Sequence, residues 1–423
     1  MEDNTRQKIR HFRQNREGKV LAHNFAYLTL LQIASYLFPL ITMPYLARVL
    51  GTDGIGKIAF AFAIIMWVLT IADWGFNYTG TRAVAVCRDN QKLVSRIFST
   101  ILWARMILAL ASLILLIVLI EIIPSFHNNA LIILLTFLMV PGHILFPDWF
   151  FQALERMKYI TWFNIILKSI FTIAVFIFIK DAGDYFLQPL IISSGYVIIG
   201  ICSLYIIACK WGYKIQRIPL QEIWKTINDS SNVFINNLMP NLYNSFSTIL
   251  MGMLGSSAQV GILDAGKKFM TLVNQGLTTI SRTFFPYLSR KTEKHHIYAC
   301  GSLFVSILAF GLLQIFAPLL IRIFYGAEFT EAVLVLRITA FAVPFFNVVE
   351  IYGTNYLLVT KHDKIMRNIT LTGSLIGFVI AYPLIYYYNY IGAALTYTVS
   401  TGILAMLSFI YAKKIEHKSS SEI

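Results

Sequence analysis

The stretch VLGTDGIGKIAF (residues 49–60) joins two long apolar runs, and an echo of it occurs later in the chain as MLGSSAQVGILD (253–264). A second echo relates FQALERMKYITWFNIILKS (151–169) to YLLVTKHDKIMRNITLTGS (356–374). The two offsets, 204 and 205 residues, are nearly half of the 423-residue chain. Self-similarity at one offset is the sign of an internal repeat. The sequence therefore predicts two related halves.

The chain is 57% hydrophobic and only 13% charged, with a mean hydropathy of +0.66. So much apolar surface cannot be buried in one soluble core, and we expect a membrane protein. A helix of roughly 20 residues crosses about 30 Å of hydrocarbon and satisfies its own backbone hydrogen bonds in lipid. The ten-residue alternation of a β-barrel is absent from the sequence. Twelve apolar runs can be counted, at 24–46, 58–80, 99–121, 131–152, 160–179, 187–209, 231–254, 258–284, 297–320, 333–358, 368–388 and 391–412.

We therefore predict an all-α polytopic membrane protein with twelve transmembrane helices in two pseudo-symmetric six-helix lobes. Because six is an even number, both halves enter the membrane in the same direction, and an axis along the membrane normal relates them. The predicted segments are a basic amino-terminal tail (1–22), a first lobe (23–209), an inter-lobe linker (210–229), a second lobe (230–412) and a carboxy-terminal tail (413–423).

Lysine and arginine are divided unevenly between the two sides of the predicted membrane. The segments on the side of the termini carry 25 of these residues, and the alternate connections carry four, namely Arg48, Lys57, Lys180 and Arg322. The positive-inside rule places both termini in the cytoplasm. We interpret the net charge of +14 as topology rather than nucleic-acid binding. The first 22 residues carry six cations without a small-residue cleavage site after them, so the first span is expected to be retained.

Enzymatic motifs are absent from the sequence. There is no glycine-rich phosphate loop, no H-E-x-x-H motif and no acidic pair in an outer connection of the kind that a lipid-linked glycosyltransferase would need. The predicted outer connections are also too short to form a domain. The four cysteines lack metal-ligand spacing and are interpreted as reduced structural thiols: Cys87, Cys202, Cys209 and Cys300. We therefore expect a protein that is not an enzyme and that holds no metal or cofactor.

Polar residues recur on single faces of three predicted spans. The stripes are Gln32, Ser35, Pro39 and Thr42 on the first span, Asn237, Asn241, Asn244 and Thr248 on the seventh, and Lys267, Thr271, Asn274, Thr278 and, slightly off the face, Arg282 on the eighth. Such residues either line a path or hold helices together, the latter contributing roughly 0.6 kcal/mol per contact. Because the first and seventh spans are equivalent in the repeat, their matching stripes favour a cavity between the lobes.

The segment IADWGFNYTGTR (71–82) places polar residues inside the second span. Asp73 and Asn77 share a helix face, whereas Arg82 lies about half a turn away in an unbroken helix. Either the helix bends at its glycines or Arg82 faces a different neighbour. A carboxylate at this depth must be paired, hydrated or protonated. Asp73 is therefore either an ion-coupling site or one half of a structural salt bridge.

Three stretches carry a family resemblance: MPYLARVLGTDGIGKIAFA (43–61), DWGFNYTGTRAVA (73–85) and FPDWFFQALERMKYIT (146–161). They resemble the signature stretches of the polysaccharide-transporter family, specifically the Wzx-type O-antigen flippases of Gram-negative bacteria. The resemblance spans the whole chain and is sharper in the first half, although Trp74 replaces an expected aliphatic residue or tyrosine. It implies two six-helix lobes of the multidrug, oligosaccharidyl-lipid and polysaccharide exporter superfamily.

The resemblance also implies a substrate, an oligosaccharide repeat unit on undecaprenyl diphosphate. Alternating access would move it from the inner to the outer leaflet of the bacterial inner membrane. The implied partners are membrane lipids, the O-antigen polymerase and a chain-length regulator. Three other functions fit parts of the pattern. A cation-coupled multidrug exporter would favour an acidic, aromatic cavity, an O-antigen polymerase would need a large outer loop, and a lipid II flippase usually has more than twelve helices.

A diphosphate is anionic, so a path for it requires cations, and the predicted spans contain six basic residues against Asp73, Asp148, Asp264 and Glu350. We predict diphosphate or sugar-acid contacts from Arg82, Arg105, Lys168, Lys267 and Arg282, and sugar contacts from Gln32, Asn237, Asn241, Asn244 and Asn274. Lys168 and Arg105 could instead extend to the cytoplasmic interface. A proton or sodium gradient is the expected driving force, with Asp73 the first candidate for the coupling residue and Glu350 the second.

Overall fold

The protein is described by a computed structural model that covers the backbone of residues 2–291 and 294–421. Side chains are described for residues 23–417, with the exception of residues 25, 286, 292 and 293. The basic side chains of the predicted tail 1–22 therefore lie outside the described residues. Within the described part of the chain the fold is entirely helical and contains no strand.

The described chain contains sixteen α-helices. In the first half they are α1 (Glu2–Asp73), α2 (Phe76–Val86), α3 (Gln91–Ile122), α4 (Pro124–His127), α5 (Ala130–Phe137), α6 (Met139–Leu145), α7 (Asp148–Ala153), α8 (Met157–Phe178) and α9 (Leu187–Tyr205). In the second half they are α10 (Leu220–Leu238), α11 (Ser245–Leu254), α12 (Ser257–Leu288), α13 (His295–Phe324), α14 (Ala332–Ala340), α15 (Ala342–Val348) and α16 (Asp363–Ser421). Two π-helical segments, Ile206–Lys210 and Val349–Leu358, continue α9 and α15.

Eight stretches of the described chain are long and apolar enough to cross a membrane. Two of them, Ala26–Val86 and Asp363–His417, contain 61 and 55 residues. At 1.5 Å per residue each is far longer than the ~30 Å of hydrocarbon. Each is broken near its middle at a residue with a positive φ, Gly51 (φ 63°) or Asn389 (φ 50°). Each of these stretches therefore crosses the membrane twice.

The remaining two crossings are the polar ones. Helices α10 and α11 form the seventh crossing and α12 forms the eighth, and both carry asparagine and lysine side chains that lower their hydropathy. Residues of this kind are found in membrane spans where they face protein or water rather than lipid. With these two, the described chain contains the twelve crossings expected from the sequence. The predicted all-α polytopic fold of two six-helix lobes is confirmed.

The two lobes meet at the repeated glycine motif. A Cβ atom placed on Gly56 would lie 1.7 Å from the carbonyl oxygen of Ser257, and one placed on Gly261 would lie 2.1 Å from the carbonyl oxygen of Thr52. Gly56 corresponds to Gly261 and Thr52 to Ser257, each pair being separated by 205 residues in the chain. The two contacts are therefore reciprocal, as expected at a two-fold axis. Only glycine allows the two helices, the second crossing of α1 and α12, to approach this closely.

An extended connection, residues 211–219, joins the lobes and follows one face of α3. Its backbone accepts hydrogen bonds from Gln91 Nε2 (to Trp211 O, 2.9 Å) and Trp103 Nε1 (to Gln216 O, 3.0 Å). Ser95 Oγ and Ser99 Oγ accept in turn from the amides of residues 214 and 216, at 3.2 and 2.9 Å. Positions 91, 95, 99 and 103 recur at helical spacing. The side chains of α3 thus satisfy a backbone that has no secondary structure of its own.

Candidate functional site

A central cavity of about 830 Å³ lies between the two lobes. Both crossings of α1 contribute to its walls, together with α6, α8 and α9 of the first lobe and α11 and α12 of the second. Its polar lining residues are Ser35, Thr42, Thr70, Asp73, His143, Lys168, Gln188, Tyr196, Asn244, Ser245, Thr248, Asp264, Lys267, Lys268, Thr271, Gln275 and Tyr325. A space lined in this way can hold a polar ligand at a depth where lipid would otherwise exclude one.

Three lysines, Lys168, Lys267 and Lys268, line this cavity. Lys168 on α8 donates to Ser35 Oγ at 3.0 Å. Lys267 on α12 donates to Asn244 Oδ1 at 2.7 Å, and its ammonium lies 5.2 Å from the ring centroid of Tyr397. In the described part of the chain, no carboxylate lies within 4.0 Å of any of the three ammonium groups. The cavity therefore offers positive charge that no carboxylate of the described residues pairs directly.

Asp73 lies at the edge of the cavity and is paired. It accepts a hydrogen bond from Arg105 Nη2 of α3, and the Nε2 atom of His143 on α6 lies 3.4 Å from its other oxygen. Arg105 is almost completely buried, with 1% of its side chain exposed, and it does not line the cavity. Its Nε and Nη1 atoms have no hydrogen-bond partner among the described residues. Arg105 thus lies behind Asp73, where it offsets the charge of the carboxylate.

The second span is interrupted beside Asp73. Trp74 (φ 42°) and Gly75 (φ 79°) both adopt left-handed backbone conformations, and α2 begins at the next residue. Trp74 turns towards the second lobe, where its ring stacks on Phe234 at 3.8 Å between centroids and its Nε1 donates to Ile227 O at 2.9 Å. Arg82 follows on α2, where it is exposed outside the cavity.

The other predicted contact residues occupy different positions. Asn241 donates to Thr70 Oγ1 across the lobes at 2.8 Å, and Asn274 is buried against Met270 and Tyr397. Gln32 donates to Tyr36 OH at 2.5 Å, one turn along its own helix. Asn237 and Arg282 are exposed outside the cavity. Of the ten predicted substrate contacts, the cavity lining contains Lys168, Asn244 and Lys267.

Glu350 lies in the second lobe, on the π-helical segment and away from the central cavity. It accepts a hydrogen bond from Ser281 Oγ, which also accepts from Asn355 Nδ2 at 2.8 Å. Asn355 donates further to Tyr298 OH at 2.9 Å. Within the described chain Glu350 has no basic side chain within 4.0 Å. It is a partly buried carboxylate held by neutral groups.

Several lining residues were not predicted as contacts, among them His143, Gln188, Tyr196, Lys268 and Gln275. Each is a single polar residue in an apolar run, or stands next to a predicted stripe without belonging to it. Lys268 carried a usable signal, because a lysine inside a span is rare unless it faces water or protein. The other four carry no periodic pattern that identifies the cavity side of their helix.

The lobes are also joined at the end of the molecule opposite Trp74. The charge distribution predicts that this opposite end is periplasmic. Glu328 Oε1 accepts from the amide and hydroxyl of Thr52, at 3.1 and 2.9 Å. Arg48 Nη2 donates to Ile323 O at 3.0 Å. Together with the Gly56–Gly261 contact, these bonds form what we call the outer seam.

Comparisons with known proteins agree with this architecture. A curated relative from Escherichia coli K12, named "Putative O-antigen transporter", is 26% identical over 404 residues, which cover 93% of this chain and 97% of the relative. The lipid II flippase MurJ in an inward closed conformation superposes with a TM-score of 0.73 at 15% identity, covering 91% of this chain and 87% of that one. An inward-facing multidrug resistance MATE transporter of the MOP superfamily gives 0.69 at 13% identity, covering 92% and 97%.

The two solved structures share the fold with this chain. The family is given by the sequence itself, because residues 21–292 match the model of the family described as polysaccharide biosynthesis protein. That match covers well over half of the 423 residues and includes all three signature stretches. The chain therefore belongs to the polysaccharide biosynthesis protein family.

Proposed function

We propose that this chain is a flippase that moves undecaprenyl-diphosphate-linked O-antigen repeat units across the bacterial inner membrane. The two lobes would alternate in their opening to the cytoplasm and to the periplasm, with both termini on the cytoplasmic side. The observation that supports this most directly is the set of three cavity lysines, Lys168, Lys267 and Lys268, without a carboxylate partner within 4.0 Å in the described chain.

The positions of these lysines suit a diphosphate. Lys168 stands on the wall formed by the first lobe and Lys267 on the wall formed by the second, each oriented by a neutral side chain. Ammonium groups bind phosphate oxygens through strong, charge-assisted hydrogen bonds. The amide side chains of Gln188 and Gln275 would bind sugar hydroxyls, and aromatic rings such as Tyr196 would stack on sugar faces. The polyprenyl tail would remain in lipid.

The balance of charge distinguishes this function from its main alternative, a cation-coupled multidrug exporter of the same superfamily. Such an exporter is expected to have an acidic cavity. Here three lysines face two carboxylates, Asp73 and Asp264, and Asp73 is already paired with Arg105. We propose a transporter without enzymatic activity or a cofactor, in line with the name of the curated relative. Its product would pass to an O-antigen polymerase and a chain-length regulator.

An ion gradient is the proposed driving force, with Asp73 and Glu350 as the two candidate coupling residues. Asp73 borders the cavity and has a buried cationic partner. A change in its pairing would therefore alter the contact between α1 and α3. Glu350 is held by hydroxyl groups in the second lobe. A carboxylate whose hydrogen-bond partner is a neutral hydroxyl can take up a proton or a sodium ion, which makes Glu350 the simpler of the two sites chemically.

Transport of undecaprenyl-diphosphate-linked oligosaccharide by reconstituted vesicles tests the proposal. Lys168→Gln and Lys267→Gln should each slow transport by about tenfold or more, because a hydrogen bond to a charged group contributes ~1.5–3 kcal/mol. Lys168→Arg and Lys267→Arg keep the charge and should retain most of the rate. Lys364→Gln, an exposed lysine outside the cavity, is the matched control. Wild-type rates for both glutamine variants would contradict the proposal.

A further inference from the structure

A second cavity, of about 280 Å³, lies between the start of the first apolar stretch and the start of α8. It is lined by Asn24, Tyr27, Glu155, Arg156, Lys158 and Tyr159, and we call it the basic pocket. The last four residues belong to the third signature stretch, 146–161, none of which lines the central cavity. The charge distribution predicts that this end of α8 is cytoplasmic. The central cavity therefore does not explain why residues 155–159 belong to the signature.

The basic pocket carries two cations that no described carboxylate pairs. Among its described lining residues the one acid, Glu155, forms a salt bridge with Arg88 at 2.9 Å. The guanidinium of Arg156 lies over the ring of Trp211, 3.9 Å from the centroid, and no carboxylate lies within 4.0 Å of Arg156 or Lys158 in the described chain. An arginine stacked on an aromatic face keeps its N–H edges available for an anion.

The walls of the basic pocket are held in place by contacts that do not involve a ligand. Asn24 Nδ2 donates to the carbonyl oxygen of Glu155 at 3.1 Å, which ties α1 to the turn before α8. One turn further on, Thr161 Oγ1 donates to Tyr27 O at 2.9 Å. The amide of Arg156 donates to Phe151 O at 2.9 Å. Arg156 therefore projects from a fixed turn, and Lys158 projects from the first turn of α8.

Aromatic residues place the basic pocket at the depth of lipid headgroups. Tyr27 and Tyr159 line it, and Trp162, which is 51% exposed, follows within one turn on α8. Tyrosine and tryptophan concentrate at membrane interfaces, where the ring contacts lipid and the polar atom reaches water. Basic pockets between transmembrane helices on the cytoplasmic side are suited to anionic lipid headgroups.

We propose that the basic pocket binds the phosphate group of a lipid in the cytoplasmic leaflet, with Arg156 and Lys158 as its phosphate contacts. The same chemistry has two sources. One is a bulk anionic phospholipid such as phosphatidylglycerol. The other is the polyprenyl diphosphate of the substrate, held beside the transporter before it reaches the central cavity, and this second source rests on the proposed function.

Native mass spectrometry of the purified full-length protein tests this, with phosphatidylglycerol, phosphatidylcholine and undecaprenyl diphosphate as the three probes. Wild type should bind phosphatidylglycerol at least about tenfold more tightly than the zwitterionic phosphatidylcholine. Arg156→Gln with Lys158→Gln should remove this preference. Lys92→Gln with Lys364→Gln makes the same change in charge at exposed positions outside the pocket and should retain it.

The arms of the experiment separate the two sources. Equal affinity for phosphatidylglycerol and undecaprenyl diphosphate identifies a site for bulk lipid. A tenfold preference for the diphosphate that Lys267→Gln keeps, and that Arg156→Gln with Lys158→Gln removes, identifies a substrate site in the basic pocket. The Lys267→Gln variant should keep phosphatidylglycerol binding, so a transport defect with intact lipid binding bears on the proposed function and not on the pocket. Should the double variant fail to fold, the single Lys158→Gln change at an exposed side chain serves instead, with an expected loss of about threefold. Unchanged lipid binding in a folded variant would overturn the proposal.

Discussion

At the scale of single residues, Asp73 is held by an ion pair with a residue of another helix. Its spacing placed it inside the second span, where a carboxylate needs a partner. The partner, Arg105, stands 32 positions later on another helix. The spacing of polar residues indicates which face of a helix is turned away from lipid, but it does not indicate which helix packs against that face. For this reason Arg105 was predicted to contact substrate, whereas it lies buried behind Asp73.

The Asp73–Arg105 pair leads to a prediction about stability. Asp73→Asn leaves the guanidinium of Arg105 buried without a counter-charge, which typically costs ~3–5 kcal/mol. The variant should therefore show a clearly lower Tm in detergent. Adding Arg105→Met should recover most of the loss, because an apolar side chain of similar length then replaces the buried charge. Thermal unfolding of the purified wild type, single variant and double variant measures both effects.

The same double variant separates a structural role of Asp73 from ion coupling. Transport would be measured across imposed proton and sodium gradients for wild type, for Asp73→Asn with Arg105→Met, and for Glu350→Gln. A stable double variant that transports without responding to the gradient identifies Asp73 as the coupling site. A response lost only in Glu350→Gln identifies the second lobe instead. If every variant keeps the wild-type gradient response, neither carboxylate couples transport to an ion.

At the scale of helices, the apolar runs predicted where the chain crosses the membrane, because run length and hydrophobicity are set directly by the bilayer. The breaks at Gly51 and Asn389 fall in the gaps between predicted runs, so the sequence located both of them. The break at Trp74 and Gly75 lies inside the run 58–80, where the sequence left open whether the helix bends. The path of the extended connection 211–219 along α3 could not be predicted, because its hydrogen bonds come from side chains of α3 more than 100 positions away.

The glycine contact between α1 and α12 supplies a prediction at this scale. Gly56→Ala places a methyl group within 1.7 Å of Ser257 O, so the two helices must move apart. Overpacking of this kind typically costs ~1–3 kcal/mol. Gly276→Ala on α12 is the control, because a Cβ there would meet nothing within 4 Å, and it should be neutral or slightly stabilising. Equal Tm values for the two variants would show that the helices are not in close contact.

At the scale of the whole molecule, two sets of bonds hold the lobes together at opposite ends. The outer seam consists of Thr52 with Glu328, Arg48 with Ile323 O, and the glycine contact. At the other end Trp74 stacks on Phe234. The central cavity lies between these two ends. A rigid-body movement of the lobes can therefore expose the cavity to one side only if the bonds on that side break.

Crosslinking the outer seam tests whether that movement is required. In a chain whose four cysteines are replaced by serine, Thr52→Cys and Glu328→Cys would be joined by a cleavable thiol crosslinker, since the native side chains lie 2.9 Å apart. Transport should fall to the level of protein-free vesicles and recover when the linker is cleaved. The control joins Glu331→Cys to Tyr390→Cys, whose native side chains lie 2.8 Å apart within the second lobe. That crosslink leaves the lobes free to separate, so transport should continue. If both crosslinked proteins transport at the same rate, export does not require the outer seam to open, and alternating access by separation of the lobes is wrong for this protein.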